Sequence, residues 1–523
     1  MNSSLFTMFV LALLPIIWLV IALCVWKLPA HIASLGAFVV AFIEAMFIWN
    51  MSFNEALSAS IEGFAMALWP IVLVIIAAVF TYNVTVYTGA MDIIKRMITS
   101  ISSDRRILVL LIGWCFGGFL EGMAGFGVAI AIPASMLYAL GFSPVEAILA
   151  CLIANGCPTM FGSIGIPTTT LANITALDAG SLAFVQTIQV APLLFISPFF
   201  MVTLVSKGIK GLKGLIPLIC VASFSFVIPE IFAARFIGAD LPVIIASICS
   251  LGATFAYAIF YGKRHEIPNE YRMEIPKEKN APVITMKRAF IAWSPFILIF
   301  VSLLLTSKLV PFIHDPLSEI KTSIVIYQGA GATPYTFTWL NTPGVLILLS
   351  GIIGGILQGC KGSDLYKVLK DTIVQMSKTI CTMLGVLACA KIMGYAGMIS
   401  DIAAFFVSAL GAFYPLAAPL IGALGTFVTG SGTSSEVLFG NVQLEAATAI
   451  GANEYWLVAA NSLGTSAGKM LAPQSIAIGC AACSLTGKDG EILKKIALYA
   501  FGYVFIMALI AYFGSSFASF LLP

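Results

Sequence analysis

Long apolar runs separated by short polar segments set the pattern of this chain. Ten runs, at 5-26, 32-49, 64-89, 189-206, 215-232, 240-261, 289-307, 342-358, 379-399 and 496-516, each have the length to cross roughly 30 Å of hydrocarbon as a helix rising about 1.5 Å per residue. Two further stretches, 145-170 and 455-483, have the length but not the continuity. The first contains "NGCPTMFGSIGIP" (Asn155 to Pro167) and the second "NSLGTSAGKMLAP" (Asn461 to Pro473), so glycine and proline break both. Asn155, Thr159, Gly162 and Pro167 recur 306 positions later as Asn461, Thr465, Gly468 and Pro473. The pattern predicts an all-α polytopic membrane protein of about twelve transmembrane helices, two of them broken.

Composition agrees. Hydrophobic residues make up 60% of 523, charged residues 10%, and the mean hydropathy is +1.02, which excludes a water-soluble surface. No Lys or Arg precedes Lys27, so the first run reads as a retained span rather than a signal peptide. A net charge of +3 gives no nucleic-acid signature. The eleven cysteines lie mostly in apolar runs, where thiols act as small hydrophobes; Cys480 and Cys483 share a helix face, and neither a disulfide framework nor a metal site is expected. The polar segments 262-288 and 308-341 read as connecting loops, the latter outside.

Basic residues gather at 95-106, 207-213, 263-288, 361-378 and 488-495, and the positive-inside rule puts these in the cytoplasm. That placement requires 107-140 to enter and leave on one side, turning at "EGMAGFG" (Glu121 to Gly127). It requires the same of 416-448, entered from outside and turning at "TGSGTSS" (Thr429 to Ser435). Both read as re-entrant hairpins, the arms of the second too short to span. Tyr87, Gly89, Phe119 and Gly122 lie 308 positions before Tyr395, Gly397, Phe427 and Gly430. An odd number of crossings separates the hairpins, so one domain, 1-523, is expected to hold an inverted repeat of 64-206 and 379-516. The segments 91-103 and 400-411 follow matching spans and suit helices lying at the membrane interface.

Lipid offers no hydrogen bonds, so irregular backbone at membrane depth must be buried or line a wet cavity. The two breaks and two hairpin tips are therefore expected to meet. Half-helix N-termini suit a small anion such as a carboxylate. Ser431, Thr433, Ser434 and Ser435 add hydroxyls at one tip, beside Thr429 and Gly430, and Gly125 and Gly127 admit close backbone approach at the other. Asn155 and Asn461 count with the breaks that they open. A charge at a helix centre costs about 2.5–3.5 kcal/mol on insertion scales, which singles out Glu121 and Lys469. Either Lys469 takes a substrate carboxylate and Glu121 a proton, or the two form an ion pair tying the repeats together. His31, His265 and His314 fall in loops or at a span end, so proton coupling rests on Glu121 or Glu436. One proton carried with one monoanion moves no net charge, leaving the pH gradient as the drive. Lys391 either snorkels or neutralises Glu436. Asn83 and Tyr87, with Tyr395 as the second-half counterpart of Tyr87, either line the cavity or make polar helix contacts.

The stretches "GGFLEGMAGFGVAIA", "LIANGCPTMFGSIGIP", "TGSGTSSEVLFGN" and "AANSLGTSAGKMLAPQSIAI", with "FTYNVTVYTGAM", resemble the bacterial L-lactate permease family over most of the chain. The resemblance implies proton-coupled uptake of L-lactate, with D-lactate or glycolate as close relatives, across the bacterial inner membrane, without a cofactor. It also implies kinship with carriers built from two inverted halves with paired hairpins, commonly homodimeric. Glu121, Gly122, Asn155, Gly162, Pro167, Thr429, Ser431, Ser434, Ser435, Gly468, Lys469, Pro473 and Gln474 match the family pattern. Gly432 stands where an Asp is expected, Glu436 where an Asn is expected, and Lys391 where an apolar or small residue is usual. A sodium-coupled di- or tricarboxylate carrier of similar build is the alternative. An enzyme would need a nucleophile with its base, and the spans hold no histidine. A channel would need a continuous lined pore, for which duplicated hairpins are ill suited.

Overall fold

The computed structural model describes residues 3–125, 127–262, 266–273, 284–307, 309–485 and 488–518; Phe126 of the first tip, His265 and the basic residues of 274–283 lie outside these. Among the described residues, eleven helices are long and apolar enough to cross a membrane. Leu5–Ala12 and Leu14–Leu23 make a twelfth candidate if taken as one span, bent by 44° near Pro15, which has no N–H to continue the ladder. Large apolar side chains such as Phe47, Phe232, Phe290 and Phe501 stand exposed on outer helix faces, as a chain solvated by acyl tails requires. This is a multi-pass membrane protein.

The number of crossings matches the sequence pattern, but their membership differs. The run at 342-358 yields only Pro343–Leu357, among the shorter apolar helices, and the broken stretch 455-483 yields Glu454–Leu471 and Pro473–Ala482, neither among the spanning candidates, whereas Arg105–Met123 and Met398–Thr429 reach spanning length. The first arm of the first hairpin thus begins at Arg105, within the basic segment 95-106. Asp104 caps it by accepting from the Arg106 backbone N–H at 2.9 Å, and the Arg106 guanidinium is buried against the same carboxylate at 2.7 Å. A neutralised arginine lets the helix start inside what reads as a basic loop. The arm then widens into π turns over Val109–Phe116, and the return arm is Val128–Ala139. The second hairpin consists of Tyr414–Thr429, a Gly430–Ser431 tip and Gly432–Ile450.

The chain is not wholly helical. Within 308-341, expected to be a loop, Lys321–Ile324 (β1) pairs antiparallel with Tyr335–Thr338 (β2); β2 consists of aromatic and β-branched residues, and β1 carries the β-branched Thr322 and Ile324. Trp69 Nε1 donates to the Thr338 carbonyl at 2.8 Å, fastening this hairpin to Phe53–Tyr87.

Helices pack in two groups. Ala30–Phe47, Phe53–Tyr87, Met286–Leu305, Pro343–Leu357 and Gly362–Ala396 lie against one another. The hairpins and broken helices pack with Ala179–Val205 and Asp489–Ala518, while Pro242–Gly262 closes on the first hairpin. Inside the second group, Tyr414–Thr429 meets Glu454–Leu471 backbone to backbone. Gly422 abuts the Asn461 carbonyl, Gly464 the Pro419 carbonyl and Gly468 the Ala423 carbonyl, the close approach that small residues permit between membrane helices. This contact sets the second break beneath the second tip.

A side chain at the centre of that contact should therefore destabilise the fold. Gly464→Val is expected to lower unfolding free energy in detergent by about 1–3 kcal/mol, followed by tryptophan fluorescence. Gly252→Ala, whose added methyl meets nothing within 4 Å, is expected to stay within about 0.5 kcal/mol of wild type. Equal losses in both variants would contradict the packing assignment.

Candidate substrate-binding site

The first broken helix begins with a capping box, in which Ser143 Oγ accepts from the Glu146 N–H at 3.3 Å, and runs from Pro144 to Gly156. It tightens to a 3-10 turn over Cys157–Phe161. Ser163, Ile164 and Gly165 then take left-handed backbone angles, φ +47°, +59° and +71°, before the helix resumes. Two non-glycine residues in this region store strain that the surroundings must hold in place. Ser163 Oγ donates to the Ala124 carbonyl at 2.8 Å, so the break is tied to the first hairpin tip. The second break is simpler. Glu454–Leu471 ends at Ala472, whose ψ of 122° is extended, and Pro473 opens the helix Pro473–Ala482.

Breaks and tips enclose a cavity of about 250 Å³. Glu121, Gly125 and Gly127 come from the first hairpin, and Thr159, Gly162, Ser163 and Pro167 from the first break. Thr429 to Thr433 come from the second tip, and Lys469, Gln474, Ser475 and Ile478 from the second break. Met376, Thr379, Thr382 and Met383 of Gly362–Ala396, with Ala30, form the facing wall. Three helices start at this cavity: Val128–Ala139 after Gly127, Gly432–Ile450 after Ser431, and Pro473–Ala482. Their N-terminal ends carry partial positive charge, which suits an anion, although the Val128 N–H donates to the Gly125 carbonyl at 3.0 Å and the Ser434 N–H to Ser431 Oγ at 3.3 Å.

Two opposite charges face the cavity. Lys469 is 9% exposed and its ammonium donates to the Gly430 carbonyl at 3.2 Å. Glu121 is 4% exposed and accepts from Asn155 Nδ2 at 2.6 Å on Oε2. Its other oxygen lies against Gly162, where any Cβ would come within 2.5 Å of it. A side chain at 162 would displace the carboxylate from this position. No ion pair within 4.0 Å joins Glu121 to Lys469 among the described residues, so the tethering alternative is not the arrangement found.

The second half repeats the Asn–Glu bond in a different place. Asn461 Nδ2 donates to Glu436 Oε2 at 2.8 Å, and Gln443 Nε2 donates to Asn461 Oδ1 at 3.3 Å. Glu436 is fully buried and absent from the cavity lining.

Of the residues singled out from sequence, the cavity gathers Lys469, Gly125, Thr429, Gly430, Ser431, Thr433, Gln474 and Glu121. Asn155, Asn461, Gly122, Ser434, Ser435 and Glu436 lie outside its lining. Asn155 acts through Glu121, whereas Gly122 faces Val243 and Ile244. Ser434 and Ser435 follow Thr433 around the helix onto its inner face, where Ser435 Oγ donates to the Gly422 carbonyl at 2.8 Å.

Four further expectations are corrected or narrowed. Asn83 donates to Thr372 Oγ1 and Gln375 Oε1, each at 2.9 Å, and Tyr87 donates to Asp364 at 3.2 Å; both make polar helix contacts away from the cavity. Lys391 neither snorkels nor neutralises Glu436. Its ammonium pairs with Glu62 at 2.7 Å, and Tyr395 donates to the same carboxylate at 2.8 Å. Glu62 precedes the apolar run at 64-89, where a charge looks like a loop residue, yet it is buried on the helix Phe53–Met66. Thr379 and Thr382 also escaped notice; their signal is an i, i+3 polar pair entering an otherwise apolar run.

The family model described as L-lactate permease matches residues 8–517. The L-lactate permease of Streptococcus iniae is 40% identical over 454 residues, covering 86% of this chain and 93% of that protein. The L-lactate permease of Escherichia coli strain K12 is 33% identical over 526 residues, covering 96% and 94%. The glycolate permease GlcA of the same strain is 32% identical over 534 residues, covering 95% and 94%. Among solved structures, the YdaH transporter of Alcanivorax borkumensis overlaps 88% of each chain with a TM-score of 0.49 at 14% identity. By the extent of the family match and the identity to these relatives, the chain belongs to the L-lactate permease family, a family of permeases and not of enzymes.

Proposed function

We propose that this protein is a secondary active transporter that takes up L-lactate, or a close 2-hydroxymonocarboxylate such as D-lactate or glycolate, together with protons across a bacterial inner membrane. The observation that carries this reading is the single ammonium of Lys469 in a small cavity with three helix N-termini and a rim of hydroxyl groups. One carboxylate pairs with Lys469 and the helix starts, and the neighbouring 2-hydroxyl exchanges hydrogen bonds with Thr159, Ser431, Thr433 or Gln474. A lone ammonium suits one carboxylate better than two, which disfavours di- and tricarboxylates. The relatives' names, L-lactate permease and glycolate permease, support the same substrate class.

Glu121 is the proton carrier in this reading. It faces the cavity, one oxygen held by Asn155, and protonating it as the substrate anion binds keeps the loaded site electrically neutral. The pH gradient then drives accumulation, while the membrane potential, about 2.3 kcal/mol per charge per 100 mV, does not act on the loaded carrier. Residues 64-206 and 379-516 form the inverted repeat, their hairpins re-entrant, and the cavity-bearing helices move against the wall of Gly362–Ala396 in a homodimer.

Uptake of labelled L-lactate into proteoliposomes under an imposed pH gradient, inside alkaline, tests the function. Uptake that needs sodium, or counterflow faster with succinate than with lactate, would favour the other carrier class. Lys469→Ala removes a charge-assisted bond worth about 1.5–3 kcal/mol, so its affinity for L-lactate is expected to fall about 10- to 150-fold. Unchanged binding would refute the anion role of Lys469. Glu121→Gln is expected to keep lactate exchange while losing accumulation driven by the pH gradient. Retained pH-driven accumulation would remove Glu121 from proton coupling.

A further inference from the structure

A second cavity, about 320 Å³, adjoins the first break from the side away from the substrate cavity. Gly162, Ser163 and Pro167 line the substrate cavity, whereas Thr169 lines the second. Between them Gly165 abuts the Ala239 carbonyl, and any Cβ there would come within 3.1 Å of the Asp240 Cα; Ala239 and Asp240 both line the second cavity. Glu121, whose carboxylate rests on Gly162, and Asp240 therefore flank the same short segment, 162-165. Hydroxyls reach this segment from both cavities: Ser163 from the first, and Thr169, whose Oγ1 donates to the Gly165 carbonyl at 3.0 Å, from the second. Ile216–Phe236 starts beside the basic segment 207-213, and Asp240 follows its opposite end, which the positive-inside rule puts outside. The other titratable groups lining the second cavity are Asp178, Arg235 and His314. Asp178 accepts from the Ser181 N–H at 2.8 Å, and the Arg235 guanidinium lies over the Phe184 ring at 4.8 Å. His314 belongs to Pro311–Ser318 on the opposite wall, its ring nitrogens engaged by Thr306, Asn341 and Ser318. Among the described residues no hydrogen bond or ion pair engages the Asp240 carboxyl.

We propose that Asp240 is the outer proton-loading residue, which takes a proton from external water in the second cavity and passes it across the first break to Glu121. The inference rests on the proton-coupled reading of the substrate cavity. Movement of Gly165 off Ala239 joins the two cavities, and water entering there carries the proton between the two carboxyl groups. The O–H formed on Asp240 breaks in favour of that water, and the last O–H forms on Glu121, which returns Asp240 to its carboxylate. Segment 162-165 carries glycine at both ends, so bare backbone faces Glu121 on one side and Asp240 on the other. Burial pushes the Asp240 carboxyl up to about 6. A group that titrates there loads from a mildly acidic exterior and gives its proton up towards an alkaline interior.

Proteoliposomes holding the full chain test this with two assays on each variant: L-lactate uptake driven by a pH gradient, recorded against external pH, and lactate counterflow at equal pH on both sides. Wild-type uptake is expected to rise as external pH falls, with an inflection near 6. Asp240→Asn is expected to lose that inflection and to slow pH-driven uptake at least about tenfold, while counterflow and the KM for lactate stay near wild type. Asp240→Glu keeps a carboxyl group and is expected to restore most of the uptake and the inflection. Should Asp240→Asn lose counterflow too, Asp240→Ser, which also lacks a titrating group, is read in its place; loss of counterflow in both would overturn the proposal, because a residue that serves only proton entry is dispensable for exchange. A wild-type inflection and rate in either variant, while wild type accumulates lactate, would overturn this inference alone. No accumulation by wild type itself would overturn the symport reading and this inference with it.

Discussion

Peptide groups released by a helix break in hydrocarbon have no water to turn to, so each break in this chain depends on partners supplied by another element. The first break leans on the first hairpin tip through Ser163 and the Ala124 carbonyl. The second leans on the second tip through Lys469 and the Gly430 carbonyl. The same contacts that make irregular backbone tolerable also assemble the cavity, because the satisfied groups point inward and the remaining helix starts face one space. Structural necessity and the cavity proposed to take an anion are here one arrangement.

Much of this was legible in the chain. The recurrence of Asn155, Thr159, Gly162 and Pro167 as Asn461, Thr465, Gly468 and Pro473 identified both breaks, and the buried charges of Glu121 and Lys469 pointed to the cavity that both residues line. What failed to show was orientation around a helix axis. Ser434 and Ser435 look equivalent to Ser431 and Thr433 in a hydroxyl-rich string, but two residues on, the helix has turned them from the cavity. Helix ends were similarly hidden, since a buried Asp104–Arg106 pair reads in sequence as part of a solvated basic loop. The Glu62–Lys391 bond joins residues more than three hundred positions apart, and no local pattern announces such a partner.

The two halves use one chemical pairing, an asparagine from the break donating to a glutamate of the hairpin, yet place it differently. Glu121 ends the inward arm of its hairpin and meets the cavity. Glu436 lies in the first turns of the return arm and meets Asn461 in the interior. A shift from one side of a tip to the other separates a carboxyl group open to the cavity from one sealed in protein, without altering the hydrogen bond that each makes.

The strand pair β1–β2 and its turn are held by Phe53–Tyr87. Trp69 grips the Thr338 carbonyl, the Tyr327 N–H meets Glu62 at 3.3 Å, and the Tyr327 ring stacks on Tyr395 at 3.7 Å between centroids. These anchors all belong to the helices that form the cavity's facing wall group, not to the helices that carry Lys469. The small sheet is therefore an external handle on that group: a fluorophore or binding protein attached to it reports the position of Phe53–Tyr87 and Gly362–Ala396, and its distance to the hairpins reads the separation of the two helix groups.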